Sequence, residues 1–86
     1  MSDEYAGKIA VITGGARGFG KAFGHALAQR GAKVIQVDLD LPAVQLAAAE
    51  IGPNAEAMLG DVADEAAIEA LMAEIAARHG GIDILI

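Results

Sequence analysis

With 86 residues, 55% of them apolar and none of them cysteine, the chain has room for one small domain and excludes disulfides, thiolate catalysis and cysteine-based metal sites. Its formal charge of -6 leaves no basic surface with which to neutralise a nucleic-acid backbone or an anionic membrane leaflet. The opening MSDEYAGK carries acids where a secretory signal carries bases, and no apolar run reaches the ~20 residues of a membrane-spanning helix, so a soluble, cytoplasmic protein is expected.

Lys8 to Thr13, KIAVIT, is a nearly continuous apolar run ending in glycines, which predicts a strand buried on both faces. From Gly20 to Arg30 the apolar residues Ala22, Phe23, Ala26 and Leu27 recur at helical spacing, with Lys21, His25 and Gln29 on the other side and Gly31 as the stop. Lys33 to Val37, KVIQV, predicts a second strand with Asp38 at its carboxyl end. Leu41 to Ile51 predicts an alanine-rich helix, with Pro42 tolerated in its first turn and Gly52-Pro53 closing it. Glu56 to Leu59 predicts a short third strand ended by Gly60-Asp61. Asp64 is the expected N-cap of a third helix, whose Ile68, Leu71, Met72 and Ile75 stand at i, i+3, i+4 and i+7 with Glu65, Glu69 and Glu74 outward. Gly80-Gly81 terminates it, and Ile82 to Ile86, IDILI, predicts a fourth strand. The order β-α-β-α-β-α-β with short connections implies an α/β domain over residues 1–86: part of a Rossmann-type, doubly wound parallel sheet, with helices on both faces in three layers.

The first strand runs into ITGGARGFGKA. In a strand-turn-helix unit the first helical turn points unpaired N–H groups at the loop, and the helix dipole adds partial positive charge there, so backbone alone can hold an anion. Gly14 is expected to make the sharp turn out of the strand, Gly18 to let a pyrophosphate approach the backbone, and Gly20 to let the helix lie close to the strand. The spacing G-x-x-x-G-x-G is one residue longer than G-x-G-x-x-G. A rival reading takes Gly15, Gly20 and Lys21 as most of a P-loop, but that motif needs a hydroxyl for magnesium where this chain has Ala22.

Asp38 separates the two. It lies eighteen positions beyond Gly20 at the tip of the second strand, where a carboxylate can accept hydrogen bonds from both adenosine ribose hydroxyls. The same charge repels a ribose 2'-phosphate by roughly 4 kcal/mol per unit charge at about 4 Å and an effective dielectric of about 20, which favours NAD over NADP. The bland alternative is that Asp38 only begins a polar turn with Asp40. Arg17, a guanidinium within the loop, pulls the other way, since it can pair with a 2'-phosphate and permit dual use, or be a plain exposed arginine.

From Gly7 to Ile86 these features together resemble the start of a short-chain dehydrogenase/reductase. TGGARGFG resembles that family's T-G-x-x-x-G-x-G signature, with Thr13, Gly14, Gly18 and Gly20 on the fixed positions and Phe19 replacing the more usual isoleucine or leucine. Asp38 corresponds to the family's ribose-binding acid. Asp61-Val62 resembles its D-V pair, in which the aspartate and the following backbone meet the adenine ring, and GGIDILI resembles the strand that leads into an N-N-A-G motif. The resemblance implies the strand order 3-2-1-4, a nicotinamide dinucleotide as cofactor, and hydride transfer to or from a carbonyl or alcohol in a full-length form.

The family's catalytic serine and Y-x-x-x-K pair have no counterpart in these residues, so the chain is expected to be an incomplete, cofactor-binding portion, inactive by itself. Tyr5 and Lys8 are three apart rather than four, and His25 and His79 stand on separate helices without a partnered acid and nucleophile, which leaves no catalytic or metal assignment. IDILI as an edge strand is expected to invite self-association. Two other readings stay open, a non-catalytic nucleotide-binding or interaction module and an S-adenosylmethionine methyltransferase; the glycine spacing suits the latter poorly.

Overall fold

The computed structural model describes residues 3–86. Four strands and three helices alternate: β1 (Ile9–Thr13), α1 (Gly18–Gln29), β2 (Lys33–Asp38), α2 (Leu41–Ile51), β3 (Ala55–Leu59), α3 (Glu65–His79) and β4 (Ile84–Leu85). The sheet is parallel throughout, in the order β3-β2-β1-β4, as the resemblance implied. Ile9 to Thr13 lie in register with Lys33 to Val37, and Val34 to Asp38 with Ala55 to Leu59.

β1 reads as an apolar run, and β2 as one interrupted by Gln36, because both faces of a parallel sheet are covered. Period-two alternation then assigns the side chains. Ala10, Ile12 and Val34 pack with Ala28 and Ala32 beneath the first helical layer, joined by Leu27 and Ile51. Val11, Ile35 and Val37 pack with Leu71 and Ile75 of α3 on the opposite face. These strand residues are fully buried, and each valine or isoleucine so placed contributes about 1.5–3 kcal/mol.

α3 buries the expected face, with Leu71 and Ile75 innermost and Ile68 and Met72 at its edge. α1 does not. Phe23, read as part of its core face, is half exposed, Ala22 and Ala26 are exposed, and the buried residues are Gly24 and Ala28. Gly20, Gly24 and Ala28, spaced four apart, form the face against the sheet. A β-carbon on Gly20 would stand 2.1 Å from the Gly14 carbonyl oxygen, so closeness, rather than bulk, selects the residues there. Helical periodicity of large apolar groups pointed to the wrong side because glycine adds nothing to it.

β4 is shorter than IDILI predicted. It pairs only with β1, and the ladder is extended by Asp83, whose carboxylate accepts from Ile9 N–H at 2.8 Å, and by Ile86, whose carbonyl accepts from Thr13 N–H at 3.0 Å. β1 therefore has β2 on one side and β4 on the other. In an open α/β sheet the ligand crevice lies outside the carboxyl ends of the strands at such a reversal.

Candidate functional site

The loop from Gly14 to Arg17 leaves β1 at that reversal. Gly14 and Gly18 adopt φ of 63° and 61°, a left-handed conformation that side-chain-bearing residues avoid, and this turns the chain out of the strand and into α1. α2 and α3 are N-capped by Asp40 and Asp64, whose carboxylates accept from Ala43 N–H and Ala67 N–H. α1 has Arg17 at that position, with no side-chain cap and no acid in its first turn. The first turn of α1 thus presents donors and positive dipole with no side-chain cap and no acid of its own, an arrangement suited to an anion.

β2 holds the loop from one side. Gly15 N–H donates to the Val37 carbonyl at 2.9 Å, and Ala16 N–H donates to Oδ2 of Asp38 at 3.1 Å. Gln36, which points to the same face as Asp38, donates from Nε2 to the carbonyls of Gly15 at 3.0 Å and Gly20 at 3.2 Å. The other oxygen of Asp38 accepts from Asp40 N–H at 3.1 Å. A carboxylate offers about four acceptor positions, so Asp38 retains capacity for two further donors.

Asp38, Gly14 and Val62 line one cavity of about 120 Å³, together with Leu39 and Gly60. Leu39 and Val62 are both more than half exposed, two apolar groups at the strand tips on either side of Gly60. The carboxylate of Asp61 accepts from Ala63 N–H at 2.9 Å, an Asx turn that shapes the segment after β3. A larger cavity, about 390 Å³, opens between α1 and α2 beside Lys21, His25 and Glu50; its ammonium, Lys21, is paired with Glu50.

The remaining residues singled out from the sequence fall as follows. Thr13 donates its hydroxyl to the Ile86 carbonyl at 2.9 Å and so ties β1 to the strand beside it at the reversal. Phe19 is 84% exposed at the start of α1, its ring 6.4 Å from that of Phe23. Arg17 reaches neither Asp38 nor the loop interior; its guanidinium lies 3.0 Å from Asp40. The Ala43 amide and then the Arg17 guanidinium hold the Asp40 carboxyl below its ordinary 3.8. His79 does have an acid beside it, Glu56 at 3.5 Å, but that pair sits near the amino-terminal end of β3 with Arg78 and takes no part in the crevice. Among the described residues no cluster of acids and histidines is arranged to hold a metal, and no helix is long and apolar enough to cross a membrane.

Gln36, Leu39 and Gly60 were missed by sequence reasoning. A glutamine inside a strand buried on both faces is itself a signal, since such a group needs a partner. Gly60 has a contact reason: a β-carbon there would meet Val37 at 2.6 Å and Leu71 at 2.9 Å. Nothing in the local pattern marks Leu39.

The sequence profile of the short chain dehydrogenase family matches residues 8–86. Sorbitol dehydrogenase of Cereibacter sphaeroides is 50% identical over 80 residues, which cover 93% of this chain and 31% of that enzyme. Two solved structures superpose closely. One is a 3-ketoacyl-(acyl-carrier-protein) reductase from Brucella melitensis complexed with NADH, with TM-score 0.86 and 39% identity over 93% of this chain and 33% of that one. The other is a metagenomic short-chain oxidoreductase in complex with NADP, with TM-score 0.88 and 34% identity over 93% of this chain and 38% of that one. The chain spans about a third of the length of the relatives it matches.

Proposed function

Because this chain belongs to the short-chain dehydrogenase family, we propose that residues 1–86 form one partial dinucleotide-binding unit of an oxidoreductase acting on a carbonyl or alcohol, and that they prefer NAD to NADP. The observation that carries this reading is an uncapped helix N-terminus at the end of a glycine loop whose Ala16 N–H donates to the Asp38 carboxylate. Backbone amides at Gly18, Phe19 and Gly20 would receive the pyrophosphate. The two unused acceptor positions of Asp38 match the two adenosine ribose hydroxyls, and Leu39 and Val62 would flank the adenine, with Asp61 beside them. When bound, the nicotinamide supplies the hydride donor or acceptor. The residues here would hold the adenosine and pyrophosphate, and none is assigned a proton-transfer role.

The preference for NAD follows from charge. A 2'-phosphate on the ribose would face Asp38 directly, and the Arg17 guanidinium would have to leave Asp40 to receive it. Relatives in complex with NADH and with NADP both exist, so the charge pattern of this chain is what favours one of them.

Calorimetric titration of the protein with NADH, NADPH and Mg-ATP tests the reading. NADH is expected to bind most tightly, without need of magnesium. Binding of Mg-ATP alone, or of none of the three, overturns it.

A further inference from the structure

Gln36 is fully buried and is the sole polar residue in the core among the described residues. Its Nε2 bridges the carbonyls of Gly15 and Gly20, while its Oε1 has no hydrogen-bond partner. The orientation follows from chemistry, because turning the amide over would place its oxygen against two carbonyl oxygens. Room for the amide exists only because two glycines lack side chains. A β-carbon on Gly24 would stand 2.2 Å from Oε1, and one on Gly15 would stand 2.9 Å from Nε2. Neither glycine belongs to the T-G-x-x-x-G-x-G pattern.

The Gly15 carbonyl and the Ala16 N–H belong to one planar peptide and point in opposite directions. Gln36 holds the first at 3.0 Å and Asp38 holds the second at 3.1 Å. The peptide plane is therefore fixed at both ends by residues i and i+2 of the same strand. The second bond of Gln36, to Gly20, joins that peptide to the first turn of α1. A methionine would fill nearly the same volume and remove the stranded Oε1, but it would leave the buried Gly15 carbonyl without this donor, so the cost of Oε1 is offset by what the donor end holds.

We propose that Gln36 is a positioning residue for the cofactor pyrophosphate: its buried amide locks the Gly15–Ala16 peptide to the start of α1 and so keeps the loop amides in their anion-receiving arrangement. This rests on the dinucleotide reading above. Gly15 and Gly24 are then glycine because Gln36 occupies the space their side chains would take.

The test is calorimetric titration with NAD+ on the wild type, Gln36→Met and Gln36→Glu, with amide hydrogen exchange followed at Ala16 and Gly20. Gln36→Met keeps the volume and loses both donors, and is expected to bind NAD+ about tenfold more weakly, with faster exchange at both amides and little change in melting temperature. Gln36→Glu can donate one bond when protonated and repels both carbonyls when ionised. Its affinity is expected to fall more steeply with rising pH than that of the wild type, with which it shares the neighbouring Asp38, Lys21 and Glu50. A Gln36→Met protein that binds NAD+ as tightly as wild type, or a Gln36→Glu protein with the wild-type pH profile, overturns the proposal. Should Gln36→Met fail to fold, the Gln36→Glu series decides alone. Wild-type protein that does not bind NAD+ overturns the dinucleotide reading instead, and unchanged exchange at Ala16 in Gln36→Met then removes the role of Gln36 as well.

Discussion

The guanidinium of Arg17 lies 3.0 Å from the carboxylate of Asp40, which at the same time caps α2 through the Ala43 amide. The glycine loop and the start of the second helix are thereby joined. Both partners are exposed, so the pair is weak and open to exchange with a ligand anion.

Replacing Asp40 with asparagine should release Arg17 while keeping a competent cap, since asparagine caps helices about as well as aspartate. NADPH affinity is expected to rise several-fold relative to NADH in Asp40→Asn. The gain should vanish when Arg17→Gln is added, because it needs the freed guanidinium. A ratio of NADPH to NADH affinity that rises equally with or without Arg17 would assign the effect to lost negative charge alone.

Asp40 also predicts a pH signature. Its folded carboxyl titrates below the ordinary 3.8, chiefly through the Ala43 amide and then Arg17. A depressed folded value means stability that is present above the unfolded value and lost as pH falls through the folded one. Melting temperature should therefore drop below about pH 4 more steeply in the wild type than in Asp40→Asn, read by circular dichroism across a pH series.

Asp38 accepts from Ala16 N–H, and the proposed ribose contact would be a second duty. Asp38→Ala should weaken NADH binding by about tenfold to a hundredfold, the size expected for losing hydrogen bonds to a charged group. NADPH binding should fall less, since the repulsion of its 2'-phosphate disappears together with the acceptor. Equal losses for the two nucleotides would show that only the loop contact matters.

Gly18 and Gly20 are both glycine in the same turn for different reasons, and alanine substitutions should separate them. Gly20→Ala drives a methyl into the Gly14 carbonyl, 2.1 Å away, and is expected to cost about 1–3 kcal/mol despite the gain in helix propensity. Gly18→Ala meets nothing within 4 Å but must hold φ near 61°, a left-handed conformation that costs about 1–2 kcal/mol for an alanine. Urea denaturation should rank both below wild type. Only Gly20→Ala should also shift the Gly14 and Gly15 amide resonances strongly.

The sequence by itself determined the order of elements, the parallel sheet and the two poles of the crevice. Those depend on local signals: predominantly apolar runs at β1 and β2, glycines at the turn, an acid at the tip of β2. Caps were legible too, since Asp64 sits where the third helix begins. Only the tertiary structure decided which side of α1 is buried, what Arg17 pairs with and why Gln36 lies in the core. Each of these turns on the distance between two segments far apart in the chain, Gly24 against Gln36 or Arg17 against Asp40. Periodicity records the size and polarity of side chains along one element. It carries no term for the space a neighbouring element leaves, and close packing at Gly20 and Gly24 is governed by that space alone.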